Sequence, residues 1–311
     1  MGLDREATTA LLLARSAGAD FSRPLMLGRQ RMHIQPRDLA AAFATAGLDL
    51  PLARARELHG AKDGFVEPLL ELLGATDPAS MDNSDFESSS LVHDLNEPVP
   101  DDLKGRYSLV WDGGTLEHVF NFPTAIANAM AMTAVGGHYL GMAPANNWMG
   151  HGFFQFSPEL WFRVLSPENG FEVQWMLIKA SRHPASRWYR IRDPQEVGER
   201  VTLTARTRGT IYVLAKRTED RPLLAAPPQQ SDYADAWSTG TVDRDRGVDR
   251  LKTRVRSTLN DRLSSRVTDG LFTASTWVLP AHDKGHFQHV DPEQMARSGP
   301  GFPQLSAALG D

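Results

Sequence analysis

The stretch Tyr107–Val119 has the sequence YSLVWDGGTLEHV and carries the clearest structural signal in the chain. It begins with a short, mostly apolar run that ends at Asp112, and a Gly-Gly pair follows. A short apolar run bounded by turn residues is typical of a strand buried on both faces. Asp112 then marks the carboxyl end of that strand, which is where ligands of parallel sheets bind.

The same pattern continues on both sides of this strand. Short extended runs predict seven strands, over 25–27, 79–82, 91–96, 107–112, 138–142, 171–178 and 210–215. Apolar periodicity and capping residues predict five helices, over 5–18, 37–46, 65–73, 123–134 and 158–165. Strands that alternate with helices predict an α/β fold with a doubly wound, mostly parallel sheet.

Composition changes suggest three segments along the chain. We expect an N-terminal helix within 1–23, a sheet domain over 24–218 and a C-terminal extension over 219–311 that covers the pocket or mediates homo-oligomerisation. The extension is rich in Pro, Gln and Asp at its start. Its residues 245–266 are highly charged and predict one solvated helix, whereas 280–311 look loop-like.

Charge and composition exclude several classes of function. The chain has 311 residues, 33 Lys plus Arg against 38 Asp plus Glu, and a net charge of -5, so no basic footprint indicates a nucleic-acid partner. No run approaches the roughly 18 apolar residues of a membrane span, and the polar start argues against a signal peptide. We expect a cytoplasmic protein without a membrane partner. The absence of cysteine excludes thiol nucleophiles, iron–sulfur clusters and Cys-bound zinc.

Tyr107–Val119 resembles the fourth-strand motif of class I S-adenosylmethionine (SAM)-dependent methyltransferases. In that family an acidic residue ends the strand, and a Leu-Glu-His-Val segment opens the next helix. Residues 123–142 resemble the continuation of the motif, a helix followed by a Gly-Gly turn and the fifth strand, and the similarity extends over 75–181. Residues 144–159 resemble a segment of a divergent bacterial branch. The resemblance implies a Rossmann-like domain that uses SAM to methylate an oxygen or nitrogen of a small metabolite or sugar-like acceptor.

The first strand departs from the family pattern. The family closes this strand with an acidic residue and a loop of several glycines, but here Leu27–Arg31 has the sequence LGRQR with a single glycine. We expect Gly28 to allow the closest backbone approach to SAM and Arg29 to pair with its carboxylate. Two alternatives remain: a catalytically silent binding subunit, or an enzyme that uses Arg29 and Arg31 to bind a phosphorylated ligand.

Four acidic residues are implied by the resemblance to bind the cofactor. Asp82 would accept the ribose hydroxyls, Asp94 would take the adenine amino group, and Asp112 would favour the cationic end of SAM, with Glu117 close behind. Carboxylates are strong acceptors for such donors. The structural alternatives are that Asp82 or Asp94 caps a turn and that Asp112 accepts N–H groups of the turn that follows it.

Two histidines are candidates for catalysis. His118 at the start of a turn could act as a general base, although a histidine in this position is also often structural. His151 is flanked by glycines and followed by aromatic residues, which is typical of a ligand-binding wall or of an aromatic cluster that closes the sheet edge. We expect Asn146, Asn147 and Gln155 to bind a small-molecule substrate.

A metal site is not expected. His286, His289 and Asp291 are permitted ligands, but neither a further histidine nor a helical spacing supports such a site. The sequence favours a solvated loop there.

Overall fold

The computed structural model describes residues 2–179, 187–198, 207–239 and 287–300. The helices are α1 Arg5–Ser16, α2 Pro36–Thr45, α3 Leu52–Gly60, α4 Glu67–Leu72, α5 Phe122–Met132, α6 Pro158–Val164, α7 Pro194–Val197, α8 Ser231–Thr239 and α9 Pro292–Ser298. The strands are β1 Pro24–Leu27, β2 Ala79–Asp82, β3 Leu91–Val92, β4 Tyr107–Asp112, β5 Thr133–Asn146, β6 Phe171–Lys179, β7 Trp188–Ile191, β8 Gly209–Arg217 and β9 Phe287–Val290. None of the helices in these ranges is both long and apolar enough to cross a bilayer.

The strands of the described residues form one sheet in the order β3-β2-β1-β4-β5-β8-β6-β7-β9. Strands β1 to β5 pair in parallel, and Leu27 lies between Met81 of β2 and Asp112 of β4. Antiparallel β8 lies between β5 and β6, so β6 again runs in the direction of β5. This arrangement confirms the predicted α/β fold with a doubly wound, mostly parallel sheet.

Helices cover both faces of the central strands. Successive residues of a strand point to opposite faces. Met26 and Trp111 pack with residues of α1, α2 and α4, whereas Leu25, Leu27 and Val110 pack with residues of α5 and α6. Burial on both sides explains why these strands are continuous apolar runs rather than alternating ones.

The C-terminal residues return to the edge of the sheet. β9 pairs antiparallel with β7, and the Ser16 hydroxyl of α1 donates to the Ala296 carbonyl of α9 at 2.7 Å. The prediction of a loop over 280–311 is therefore wrong for β9 and α9. Their apolar residues Phe287 and Ala296 are buried against distant parts of the chain, which local sequence does not reveal. The charged helix predicted over 245–266 lies outside the described residues.

Two further segments differ from their predictions. The strand predicted over 91–96 stops at Val92, because the Asp94 carboxylate accepts the Asn96 N–H at 2.9 Å and turns the chain. The Pro- and Gln-rich segment after 218 contains α8, whose first N–H, from Ser231, donates to Glu159 of α6.

Candidate functional site

The loops that follow the carboxyl ends of β1 and β4 face one another, and we call the place between them the crevice. The chain proceeds from β1 outwards to β2 and β3, and then returns to β4 on the opposite side of β1. Ligands of doubly wound sheets bind at this reversal of strand order. Leu27 and Asp112 are opposite one another in register, so the residues that follow them form the two walls of the crevice.

Asp112 organises the wall that follows β4. Its Oδ1 accepts the N–H groups of Gly114, Thr115 and Leu116 at 3.1, 2.7 and 3.4 Å, and its Oδ2 accepts the Tyr139 hydroxyl at 3.3 Å. Burial raises the pKa of Asp112, and these hydrogen bonds oppose that rise. The side chain has no exposed surface. Asp112 therefore shapes the turn, which is the structural alternative that the sequence allowed, and presents no carboxylate surface to a ligand.

The Gln30 side chain fills the space between the two walls. Its Nε2 donates to the carbonyls of Leu27 and Gly28, both at 3.2 Å, and its buried Oε1 has no hydrogen-bond partner in the described part of the chain. A Cβ on Gly113 would lie 2.7 Å from Gln30 Cδ, and one on Gly28, at φ +71°, would lie 2.8 Å from Thr115 Oγ1. The two glycines therefore permit the walls to approach, with the Gln30 amide between them. From the sequence, Arg29 or Gln30 was expected to replace the missing backbone contacts to SAM with side-chain contacts; the position of Gln30 between the two walls was not predicted, because an isolated Gln in a loop carries no pattern.

Arg29 is engaged with protein groups instead of being free for a ligand carboxylate. Its Nε lies 2.6 Å from Glu67 Oε1, its Nη1 donates to the Glu87 carbonyl at 2.7 Å, and its guanidinium lies 3.8 Å from the centre of the Phe65 ring. Arg31 packs on the same ring at 4.1 Å and pairs with the Glu87 carboxylate. Both predicted anion-binding arginines thus already have carboxylate partners.

Asp82 ends β2, and Asp94 lies two residues after the end of β3; the N–H of His93, which directly follows β3, donates to the Asp82 carbonyl at 2.9 Å. The half-buried Asp82 carboxylate accepts the Asn83 N–H at 2.7 Å. Asp94 is exposed and accepts the backbone and side-chain amides of Asn96, which lowers the pKa of Asp94. In both residues only Oδ1 is used in these contacts, so Oδ2 remains available to a ligand.

Glu117, His118 and His151 form a cluster that we call the Glu-His-His cluster. The first two belong to the 3-10 helix Leu116–His118 after β4, and His151 lies in the loop after β5. Glu117 Oε1 is 3.3 Å from His151 Nε2 and 4.0 Å from His118 Nε2. The Glu117 side chain is completely buried, whereas those of His118 and His151 are 47% and 27% exposed. Residues that the sequence assigned to cofactor binding and to catalysis thus lie together.

Burial controls the protonation of this cluster. Burial, reinforced by the nearby Asp112 carboxylate, raises the pKa of Glu117 to about 8. Burial also lowers the pKa of His118. At neutral pH, His118 is therefore uncharged, and one of its ring nitrogens is able to accept a proton.

Gly152 brings the loop that carries His151 against Glu117. The N–H groups of Phe153 and Phe154 donate to the Glu117 carbonyl at 2.7 and 3.3 Å. Gly152 has a φ of +68°, and a Cβ there would lie 2.7 Å from the Glu117 carbonyl oxygen. A glycine is therefore required for both the backbone conformation and the close contact.

We expect Gly152→Ala to lower the free energy of unfolding by about 1–3 kcal/mol, because the added Cβ meets both strain and a clash. Chemical denaturation measures this change. The matched control is Gly150→Ala, because a Cβ on Gly150 meets no atom within 4 Å and its φ is not positive. Equal stabilities of the two variants would contradict the assigned role of Gly152.

The predicted substrate residues mainly shape the loop after β5. Gln155 Oε1 accepts the Trp148 N–H at 2.8 Å, and Asn147 Nδ2 donates to the Thr207 carbonyl at 3.0 Å. Asn146 is half-buried at the end of β5. The loop is thus anchored at both ends, and His151 lies between the anchors.

Exposed aromatic side chains lie next to the cluster in the chain. Phe120 and Phe153 are 74% and 65% exposed, and their ring centroids are 5.7 Å apart. Exposed aromatic rings beside a few polar groups are typical of a ligand-binding wall. Deeper aromatic residues, Phe156 and Trp161, are buried and in contact, so the aromatic segment both closes the sheet edge and presents a surface. Phe120 was not predicted.

No protein-family model and no curated protein matches the chain. Among solved structures, a protein assigned as a methyltransferase from Bacillus halodurans is 12% identical, with a TM-score of 0.36 over 68% of this chain and 99% of that chain. A protein from Listeria monocytogenes assigned as a SAM-dependent methyltransferase is 12% identical, with a TM-score of 0.36 over 69% of this chain and 100% of that chain. A protein assigned as a methyltransferase, solved in complex with a Haloferax volcanii methyltransferase activator, is 13% identical, with a TM-score of 0.38 over 68% of this chain and 89% of that chain.

The chain has a doubly wound, Rossmann-like α/β fold. That assignment depends on the strand order. The five strands β3, β2, β1, β4 and β5 are neighbours in this order and run parallel, and the antiparallel β8 lies between β5 and β6.

Proposed function

We propose that the protein is a SAM-dependent methyltransferase that methylates an oxygen or nitrogen of a small metabolite or sugar-like acceptor. The observation that carries the proposal is the reversal of strand order at β1 and β4, with Asp82 at the end of adjacent β2 and Asp94 two residues after the end of β3. SAM supplies a methyl group on a sulfonium, and its transfer is an in-line displacement for which the protein mainly positions the acceptor.

The nucleoside half of SAM fits the groups present in the crevice. The Oδ2 atoms of Asp82 and Asp94 are acceptors, which suit ribose hydroxyls and the adenine amino group. The methionine half fits once the Gln30 side chain has moved. The Gln30 amide donates to the Leu27 and Gly28 carbonyls, and the ammonium group of SAM is a donor of the same kind. We infer that Gln30 occupies the ammonium position until the ligand binds.

The acceptor is proposed to bind on the side of the crevice formed by the loop after β5. His118 is half-exposed and uncharged at neutral pH, so it suits the removal of a proton from an acceptor hydroxyl or amine. Phe120 and Phe153 present ring surface to the solvent next to it, which suits an acceptor with an apolar part.

Calorimetric titration with SAM and S-adenosylhomocysteine tests the proposal. We expect Asp94→Asn to weaken binding, because it removes the charge of a proposed hydrogen-bond acceptor for the cofactor. Gln30→Ala is expected to bind SAM at least as tightly as the wild type, because the space is already vacated. His118→Ala is expected to leave the affinity unchanged, because its role is in proton transfer.

Asp101→Asn is the matched control, since Asp101 is an exposed carboxylate that precedes the amino end of β4 and pairs with Lys104. The absence of heat with either ligand at millimolar concentration would contradict the proposed function. It would favour a catalytically silent binding subunit, an alternative supported by the filled position of Gln30. The alternative of a phosphorylated ligand loses its basis, because Arg29 and Arg31 have carboxylate partners.

A further inference from the structure

The Glu-His-His cluster contains a buried carboxylate, that of Glu117, that accepts no hydrogen bond from the residues described. Glu117 has no exposed surface, and neither of its carboxylate oxygens accepts a hydrogen bond from any of the residues described. A buried polar group without a partner is costly, and a buried charge without one costs more. The groups aimed at this carboxylate are the imidazole rings of His118 and His151.

We propose that the Glu-His-His cluster binds one divalent first-row transition-metal ion, with Glu117, His118 and His151 as its ligands. Each residue offers one ligand atom, and the three atoms lie within 4.8 Å of one another. Two imidazoles and one carboxylate form a donor set that suits Zn²⁺, Mn²⁺, Fe²⁺ or Co²⁺, whereas Mg²⁺ and Ca²⁺ prefer oxygen ligands alone.

The distances suit a cation after a small movement. Ligand atoms at about 2.1 Å from a metal ion are about 3.0–3.4 Å apart when adjacent and about 4.2 Å apart when opposite. The 3.3 Å between Glu117 Oε1 and His151 Nε2 matches the separation of adjacent ligand atoms. The 4.0 Å between Glu117 Oε1 and His118 Nε2 lies between the separations of adjacent and opposite ligand atoms. His118 is half-exposed, so its ring has room to close the remaining gap.

Three protein ligands leave coordination positions open. His118 and His151 are partly exposed, so solvent and small molecules reach the cluster from their side. An oxygen or nitrogen atom of a bound molecule is able to complete the coordination there, as water does in three-ligand zinc sites. With the ion bound, His118 is a ligand and no longer a free base, so the Lewis acidity of the ion would assist proton loss from the acceptor in its place. Binding of the ion itself does not require SAM.

The sequence predicted no metal ion, because Glu117-His118 and His151 lie on separate loops and match no metal-binding spacing. Their approach depends on Gly152 and on the N–H groups that hold the loop against the Glu117 carbonyl. The other candidate set falls elsewhere. His289 packs on the Tyr189 ring, Asp291 caps α9, and His286 lies outside the described residues.

The experiment uses the full chain, stripped with a chelator and titrated with ZnCl₂, MnCl₂ or CoCl₂ in the absence of SAM. We expect one equivalent to bind, and we expect Glu117→Gln and His118→Ala to weaken binding by about 100-fold, because each removes one of three ligands. The Co²⁺-loaded protein should show visible d–d absorption that His118→Ala abolishes. His59→Ala, a histidine of α3 outside the cluster, is the matched control and should bind as the wild type does.

Circular dichroism establishes that each variant is folded, and the half-exposed His118 provides a variant in which folding is not at stake. No binding of any of the three ions at millimolar concentration would overturn the proposal. So would equal binding by wild type, Glu117→Gln and His118→Ala, because the ions would then bind elsewhere. Failure of SAM to bind does not affect either result, so this test and that of the proposed function fail separately.

Discussion

Replacing Glu6 with alanine is expected to lower the free energy of unfolding by about 3–5 kcal/mol, which is typical of breaking a buried ion pair. Glu6 Oε1 lies 2.8 Å from Lys179 Nζ, and the two side chains are only 8% and 7% exposed. The pair joins α1 to the end of β6. Without Glu6, the Lys179 ammonium remains buried beside the Trp188 ring with no carboxylate in contact.

Urea denaturation at neutral pH measures this loss. The double variant Glu6→Leu with Lys179→Met removes both charges and is expected to recover most of the stability, because the penalty comes from the unpaired charge. The matched control is Glu57→Ala, which breaks the exposed Arg54–Glu57 pair and should cost less than about 1 kcal/mol. If Glu6→Ala lowers the free energy of unfolding as little as Glu57→Ala does, the prediction is contradicted, because the Glu6–Lys179 pair is then screened by solvent.

His138 is expected to make the fold sensitive to acid. It is buried in β5 opposite Lys216 of β8, and neither of its ring nitrogens has a partner among the residues described. Burial, with repulsion from Lys216, lowers the pKa of His138 to about 4. Between its ordinary value near 6.5 and this value, the unfolded chain binds a proton that the folded chain does not. Stability is therefore lost as the pH falls through this window.

The expected loss from this residue is on the order of 2–3 kcal/mol between pH 6.5 and pH 4. His138→Leu removes the titrating group while keeping a buried side chain of similar size. Urea denaturation of the wild type and of this variant across that pH range should give curves that diverge as the pH falls. The exposed His33, changed to Leu, is the control and should follow the wild type. Parallel curves for His138→Leu and wild type would contradict the prediction.

The regular elements of the sheet were largely predictable. β2 is observed over the residues predicted for it, and β4 likewise ends at Asp112. Short apolar runs bounded by Gly, Asn or Asp indicate such strands, and alternation with helices indicates parallel pairing. The length of β3 and the existence of β9 were not predictable. The length of β3 depends on a turn that the Asp94 carboxylate stabilises by accepting the Asn96 N–H. The formation of β9 depends on pairing with β7, which is far away in sequence.

The candidate site was only partly predictable. The sequence placed Asp82, Asp94 and Asp112 at strand ends; Asp82 and Asp112 end β2 and β4, whereas Asp94 lies in the turn two residues after β3. It did not reveal that Asp112 is consumed by its own turn or that Arg29 pairs with Glu67. These outcomes depend on which groups are close in space, and a residue type alone does not specify its partner.

By itself, the sequence determined the fold class, because the apolar period and the turn residues act locally and leave few topologies open. Tertiary structure decided the chemistry of the site. It placed the Gln30 amide in the crevice, and it joined Glu117-His118 to His151 through a loop that only Gly152 allows. Burial then raised the pKa of Glu117, whose carboxylate oxygens accept no hydrogen bond from the residues that the structure describes. Such effects arise from desolvation and proximity, which exist only once the chain has folded.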